Sequence, residues 1–393
     1  MAEEYLLHDH KDSSLYLSNQ GFNDNVIDAA LPSVYRFFEK VIDELQIMYA
    51  EANVPLTAIH VAGDEVPDGS WKKSPSIKML QQKDTSIKSM TDVWKYYFSK
   101  IKFMLRAKNI AVYGWEELAI GTQTADGSRK VLYNPDFIKD SVQLDAWWSI
   151  SGNEDIPYKL ANTGYKVVLS NVDYFYFDLA YAKDFDEPGD AWVGYLDIEK
   201  TFSFIPFDYY KNATEDIRGN LLPPLYFANK EKLTEAGRKN IGGIQGALWA
   251  ENLTTSQSME YLLLPKLMVL AERAWVKSPD WAIEKDTFKA QQLYKYNWSV
   301  FVNQLGKREL PRLNFYHHGY NYRIPAVGAL VINHKVNANV QLPGFIIRYT
   351  TNGSTPTIQS NIYKEPVEEK GVIKFKVFNN TGRSGAATAI RNK

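Results

Sequence analysis

The chain has 393 residues, no cysteine and a formal net charge of −1. The lack of cysteine excludes disulfide bonds, thiolate metal sites and a cysteine nucleophile, and the balanced charge argues against a protein held to nucleic acid or an acidic membrane by bulk charge. Aromatic residues make up 14% of the chain, more than a core requires, which favours an aromatic-lined binding surface.

The N-terminal sequence, MAEEY, lacks a basic region followed by an apolar one, so we expect no signal peptide. No run of the sequence approaches 18 apolar residues, so we also expect no membrane-spanning helix. Neither observation fixes the compartment, and the localisation stays open at this point.

From residue 32 the sequence alternates between helical and strand-like patterns. Apolar residues at helical spacing predict an amphipathic helix over 32–51. Short apolar runs predict strands at 56–61, 110–115, 142–148, 167–169 and 241–249, the fourth continuing toward 174–178. Between and after them we predict helices at 93–108, 134–139, 156–163, 257–277 and 281–305. Alternation of this kind predicts a parallel β/α architecture.

The pattern gives about five strand-plus-helix units, whereas a closed (β/α)8 TIM barrel has eight. We therefore predict an α/β fold of TIM-barrel type over residues 1–310, incomplete because its first strands are missing. From residue 325 the composition shifts to short β-rich runs at 327–332, 345–349 and 372–377. These runs predict a small all-β, immunoglobulin-like sandwich over residues 325–393.

The strongest local signal is a pair of carboxylates, Asp64 and Glu65, directly after the first predicted strand. In a (β/α)8 scaffold the carboxyl ends of the strands hold the active site, and Gly63 would let the backbone turn tightly there. Two adjacent carboxylates repel when both are ionised, which raises one pKa and supplies a neutral acid near neutral pH. Most such pairs are solvated loop residues, but the position at a strand end favours catalysis.

Four later strand ends share a composition in which tryptophan or tyrosine lies beside a carboxylate. The sequences are GWEE at 114–117, DAWW at 145–148, DYFYFD at 173–178 and LWAE at 248–251. Any one of these aromatic residues would be interpreted as core packing. Because sugars present apolar C–H faces and rings of hydroxyl groups, aromatic platforms beside carboxylates suit them, and the recurrence predicts a carbohydrate site.

Taken in order, these motifs resemble glycoside hydrolase family 20, the β-N-acetylhexosaminidases. HVAGDE at 60–65 is similar to the family signature, and the four later motifs are similar to those that follow it. The bacterial chitobiase branch is the most similar, because GDAW at 189–192 follows the aromatic run and IRYTTNGSTP at 347–356 resembles that branch's C-terminal domain. The resemblance covers roughly residues 20–390.

The resemblance implies a retaining exo-β-N-acetylhexosaminidase in which the substrate's 2-acetamido oxygen is the nucleophile. Glu65 would be the acid and then the base, Asp64 would orient the acetamido N–H, and Tyr176 would hydrogen-bond the acetamido oxygen. The implied substrate-binding residues are Trp115, Trp147 and Trp249 around the acetamido methyl, Asp178 and Glu251 on sugar hydroxyls, and Trp192 beyond the cleavage point. The resemblance implies a carbohydrate partner, no metal, no organic cofactor, and a periplasmic or secreted location for relatives.

Two departures from the family pattern stand out. The family usually has glycine at the position of Ala62. The family's hydroxyl-binding arginine and aspartate and the histidine that supports the acid would all lie upstream of Met1. We therefore expect this chain by itself to be weakly active or inactive and prone to associate, and we expect a missing upstream barrel segment to be its partner.

Two other interpretations stay open from the sequence. The chain could be a non-catalytic, sugar-binding or inactive fragment of such an enzyme, since its carboxylates are intact although the predicted barrel is incomplete. It could also be a different glycosidase with a protein nucleophile, in which case a carboxylate from another strand end, such as Glu116 or Glu251, would lie opposite Glu65.

Overall fold

A computed structural model of the chain describes residues 3–18, 21–23, 25–121 and 129–393. Its helices are α1 Pro32–Glu51, α2 Pro75–Lys83, α3 Met90–Ala107, α4 Pro135–Lys139, α5 Ile156–Thr163, α6 Val172–Phe175, α7 Ile198–Ser203, α8 Glu235–Arg238, α9 Ser256–Leu263, α10 Lys266–Trp275, α11 Asp280–Ile283, α12 Thr287–Gln304 and α13 Leu310–Leu313. Its strands are β1 Ala58–His60, β2 Ala111–Trp115, β3 Gln143–Ala146, β4 Lys166–Leu169, β5 Ile241–Ile244, β6 Gly328–Ile332, β7 Lys335–Asn339, β8 Ile346–Thr350, β9 Asn361–Ile362, β10 Gly371–Phe378 and β11 Ser384–Asn392. None of the helices in these ranges is both long and apolar enough to cross a membrane.

The chain divides into two compact units. The first unit comprises Met1–Val172 with Pro224–Gln245, and the second comprises Asp173–Pro223 with Gly246–Lys393. Each unit has its own apolar core.

The first unit is built on a five-stranded parallel sheet in the order β1-β2-β3-β4-β5. Its central strands are buried, with Leu144, Val167 and Leu169 fully inaccessible to solvent, as expected for a parallel sheet covered on both faces. This confirms the five predicted strands and the α/β class. In the described residues the sheet is open rather than closed into a barrel, with β1 and β5 at its edges.

The second unit combines helices with two antiparallel sheets, ordered β11-β10-β8-β9 and β6-β7. A single apolar cluster joins them, with Phe202, Val269 and Trp281 on the helical side and Phe375 and Val377 on strand β10. The C-terminal β-rich region is therefore all-β, as the sequence predicted, and β7, β9 and β11 add strands that its weaker apolar patterns did not reveal.

Several predicted elements end or break where the local chemistry requires it. The helix predicted over 257–277 is two helices, because Pro265 has no N–H to donate and its ring clashes with the preceding turn. The helix predicted over 281–305 also divides, and α12 restarts where the Asp286 side chain accepts a hydrogen bond from the Lys289 backbone N–H. The segment 72–89, in which no helix was predicted, contains α2, which begins with Ser74 as its cap.

The predicted extension of the fourth strand toward 174–178 is wrong. Its aromatic residues suggested a strand, but α6 is a short helical turn, and Tyr174, Phe175, Tyr176 and Phe177 are all nearly inaccessible to solvent. Burial of consecutive side chains is not the two-sided alternation of a strand. Within this segment, an isolated bridge joins Tyr176 to Ala247.

Candidate active site

The turn after β1 uses backbone conformations that favour small residues. Gly63 has a φ of +106°, and a Cβ added to it would lie 2.9 Å from a methyl carbon of Leu118. Ala62 also has a positive φ, 56°, which explains why glycine suits this position. Its side chain is exposed, so the extra methyl group is accommodated. This turn presents Asp64 and Glu65 just beyond the carboxyl end of β1.

Asp64 lies in a partly buried setting that changes its acidity. Burial raises the pKa of its carboxyl, and the nearby His60 imidazole opposes that rise. The sequence suggested that repulsion between adjacent carboxylates would raise a pKa here, but the leading cause is loss of solvent. Asp64 therefore holds its proton to a higher pH than an exposed aspartate would.

A series of polar contacts that the sequence did not reveal connects His60, Asp145 and Gln245. His60 Nε2 lies 3.5 Å from Asp145 Oδ2, and Gln245 Nε2 donates to the same oxygen at 3.1 Å. The His60 ring packs edge-on against Trp115, with centroids 5.0 Å apart, and so supports one predicted pocket wall. The sequence signal that could have identified these contacts is Asp145, a charged residue inside an apolar strand.

Trp147 is held by two carboxylates that share one guanidinium. Its backbone N–H donates to Glu116 at 3.0 Å, and its indole N–H donates to Glu117 at 3.2 Å. Arg129 pairs with Glu117 at 2.8 Å and also with Glu116. Burial raises the pKa of Glu117 to about 8, with the neighbouring Glu116 charge adding to the rise and Arg129 opposing it. Trp147 is thus fixed through both its backbone and its ring.

We expect Arg129→Met to lower the free energy of unfolding by about 3–5 kcal/mol, because it leaves buried carboxylates without their counter-charge. Denaturant unfolding measures the loss. The matched control is Arg106→Met, which removes a largely exposed guanidinium 3.6 Å from Asp140 and should matter far less. Equal losses in the two variants would contradict the role assigned to Arg129.

A cavity of about 920 Å³ opens beside these residues in the first unit. Its lining includes Glu65, Glu117 and Arg129, together with aromatic walls from Trp147 and Trp148. Charged groups and indole rings around one concave space are the features expected of a sugar-binding cleft.

In the second unit, three predicted site residues lie together. The rings of Tyr176 and Trp249 have centroids 5.9 Å apart, and the Trp249 backbone N–H donates to Asp178 Oδ1 at 3.4 Å. The two segments are joined by the Phe177 N–H, which donates to the Ala247 carbonyl at 2.7 Å. Burial raises the pKa of Asp178 to about 6.

Trp192 and Glu251 are both exposed to solvent. Trp192 is 47% exposed and lies in a loop where Asp190 accepts a hydrogen bond from the Trp192 backbone N–H at 3.3 Å. The loop is tied to the segment of Asp178, because the Asp190 N–H donates to the Asp178 carbonyl at 2.8 Å. Glu251 is exposed.

Within the described part of the chain, no group of three or more histidine, aspartate or glutamate side chains is arranged to hold a metal ion. Two acidic groups of the first unit are engaged with protein partners. Glu116 pairs with Arg129, and Asp145 accepts from Gln245.

Comparison with known families gives two matches along the chain. Residues 2–278 match "Glycosyl hydrolase family 20, catalytic domain". Residues 309–387 match "Chitobiase/beta-hexosaminidase C-terminal domain".

Known proteins with similar sequences carry related names. The beta-hexosaminidase of Vibrio vulnificus is 30% identical over 416 residues, covering 100% of this chain and 46% of that protein. The N,N'-diacetylchitobiase of Vibrio harveyi is 28% identical, covering 90% of this chain and 42% of that protein. The chain thus spans less than half the length of these relatives.

Among solved structures, the family 20 exo-β-N-acetylglucosaminidase of Vibrio harveyi, in complex with N-acetylglucosamine, is similar. It superposes with a TM-score of 0.56 at 27% identity, over 81% of this chain and 40% of that chain.

Proposed function

Because this chain belongs to glycoside hydrolase family 20, we propose that its carboxylate pair serves an exo-β-N-acetylhexosaminidase that removes terminal β-linked N-acetylglucosamine or N-acetylgalactosamine. One observation carries the proposal: Asp64 and Glu65 lie in the turn after β1, and Glu65 lines the same cavity as Trp147. The names of the Vibrio relatives support the substrate class.

Glu65 acts as the acid and then as the base. Its carboxyl proton passes to the glycosidic oxygen as the bond to the anomeric carbon breaks. The substrate's acetamido oxygen attacks that carbon from the opposite face and forms an oxazolinium-like intermediate. Water then attacks the same carbon and gives its proton to Glu65, so that the sugar leaves with its configuration retained.

Asp64 orients the acetamido N–H and stabilises the positive charge that develops on the oxazolinium ring. Tyr176 donates a hydrogen bond to the acetamido oxygen. The acetamido methyl is enclosed by tryptophan rings, for which the candidates are Trp115, Trp147 and Trp249. Placement of the acetamido group decides the rate, because this group is also the nucleophile.

The remaining candidates bind sugar rather than react. Asp178 and Glu251 accept hydrogen bonds from hydroxyl groups of the terminal sugar, and Trp192 stacks on the sugar beyond the cleaved bond. A half-exposed indole such as that of Trp192 suits stacking, since its outer face is accessible to a second ring.

A protein nucleophile at Glu116 does not fit the geometry. Glu116 is fully inaccessible to solvent, is paired with Arg129 and accepts the Trp147 backbone N–H. A carboxylate that attacks an anomeric carbon must reach the substrate. The Glu116 carboxylate is buried and instead positions Trp147.

The proposal is tested with a thiazoline that mimics the oxazolinium ring. It should compete with aryl N-acetyl-β-glucosaminides, while the plain β-glucoside with the same leaving group should be almost inert. Because the chain aligns with 42% of the Vibrio harveyi protein, the assay is run on the chain alone and on a chimera that carries the remainder of that protein. Comparable turnover of the plain glucoside would refute substrate assistance.

A further inference from the structure

A buried cation in the second unit lies next to one of the proposed sugar-binding residues. Lys266, the first residue of α10, is fully inaccessible to solvent. Burying an ammonium group is costly unless its donors are satisfied. Its Nζ donates to the Phe177 carbonyl at 3.0 Å and to the Leu179 carbonyl, and it lies 3.9 Å from the centroid of the Tyr181 ring.

The two carbonyls that Lys266 binds flank Asp178 in the chain. The carbonyl of Asp178 itself accepts the Asp190 N–H at 2.8 Å. Three consecutive carbonyls are therefore engaged, two of them by one ammonium group. Backbone so constrained leaves the Asp178 carboxylate little freedom to change direction.

The electrostatics of the cluster support a pairing between Lys266 and Asp178. Burial lowers the pKa of Lys266 to about 7, and Asp178 is the largest influence that opposes this fall. In return, Lys266 lowers the pKa of Asp178, which burial otherwise raises. The other charges acting on Lys266 are Arg323, which lowers its pKa, and Glu187 and Asp197, which raise it.

Glu187 is already neutralised by another partner. Arg323 binds it through two hydrogen bonds of 2.6 and 3.0 Å, and the Tyr261 hydroxyl donates to it at 2.9 Å. With Glu187 so engaged, the charge of Lys266 serves chiefly Asp178.

We propose that Lys266 is a positioning residue for hydrolysis. By donating hydrogen bonds to the carbonyls on both sides of Asp178, Lys266 holds the Asp178 carboxylate where this group binds the hydroxyl groups of the terminal sugar. The inference rests on the proposed function, in which Asp178 is a sugar ligand. It extends to Trp249, whose backbone N–H donates to Asp178. One lysine thereby supports a hydroxyl-binding carboxylate and a wall of the acetamido pocket.

The first test needs no catalysis. The Asp178 carboxyl is titrated by NMR in the full chain labelled at aspartate Cγ, and its signal is assigned by its loss in Asp178→Asn. In Lys266→Met its pKa should rise, because a positive charge that favours the carboxylate is gone. Lys266→Arg should keep the pKa near that of the unmutated chain, and Lys295→Met, an exposed lysine on α12, should leave it unchanged.

The second test uses kinetics. Lys266→Met should lower kcat/KM for aryl N-acetyl-β-glucosaminides about tenfold or more, since small misplacements of a binding group are costly. Lys266→Arg should retain most of the kcat/KM of the unmutated protein. An Asp178 pKa that stays fixed in Lys266→Met, or a Lys266→Met loss that matches only a smaller folded fraction, would overturn the proposal.

The two tests separate the positioning role from the proposed function. If the unmutated protein hydrolyses no N-acetylhexosaminide but the Asp178 pKa still rises in Lys266→Met, the proposed function fails while the coupling of Lys266 to Asp178 holds. If hydrolysis is normal and neither measurement responds to Lys266→Met, the function stands and the positioning role is wrong.

Discussion

Glu65→Gln is expected to reduce hydrolysis of N-acetyl-β-glucosaminides that have basic leaving groups by roughly 10²–10⁴-fold, the usual contribution of a general acid. The loss should shrink steadily as the leaving group becomes more acidic, because such a group departs without receiving a proton. The measurement is kcat/KM for a series of aryl substrates plotted against leaving-group pKa, on the chain or chimera that shows the higher activity.

The matched control is Glu51→Gln, which changes an exposed glutamate at the end of α1 and should leave the whole series unaltered. If Glu65→Gln lowered kcat/KM equally for all leaving groups, Glu65 would not be the general acid. A mechanism-based inhibitor that labels another carboxylate would instead indicate a protein nucleophile.

The parts of the fold that sequence predicts well are those whose pattern is local. Helix α1 begins and ends as predicted, because apolar residues at helical spacing and Pro32 at its first turn specify it without help from the rest of the chain. The five strands of the parallel sheet were likewise visible as short apolar runs. The segment 174–178 was not predictable in this way, since its aromatic side chains are buried by tertiary packing rather than by a repeating local pattern.

The same division applies to the site. The position of Asp64 and Glu65 beyond the carboxyl end of β1 was predictable, because a short apolar run marks the strand that precedes them. The contact of Arg129 with Glu116 was not predictable, since Arg129 lies outside every described helix and strand. Lys266 appears in the sequence only as an interruption of an apolar run, and its grip on the segment around Asp178 joins residues more than 80 positions apart. Supporting residues of this kind act through folded contacts and leave little trace in local sequence.

Asp64→Asn is expected to reduce turnover of N-acetylated substrates by roughly 10²-fold or more, comparable to the loss of a preorganised electrostatic group at a reacting centre. The amide has nearly the same shape as the carboxylate but no charge to place beside the developing oxazolinium. Because burial raises the pKa of Asp64, the comparison of kcat is made well above that pKa, where the unmutated residue is ionised.

A comparison of substrates with and without an acetamido group tests whether Asp64→Asn acts specifically on that group. On a plain β-glucoside, which has no acetamido group to orient, Asp64→Asn should change the residual rate little. Asp43→Asn, which changes a half-exposed aspartate that pairs with Lys108 at 2.6 Å, should change neither rate. If Asp64→Asn slowed both substrates by the same factor, the carboxylate would be acting on the sugar or the fold in general, because a group that orients the acetamide cannot affect a substrate that lacks one.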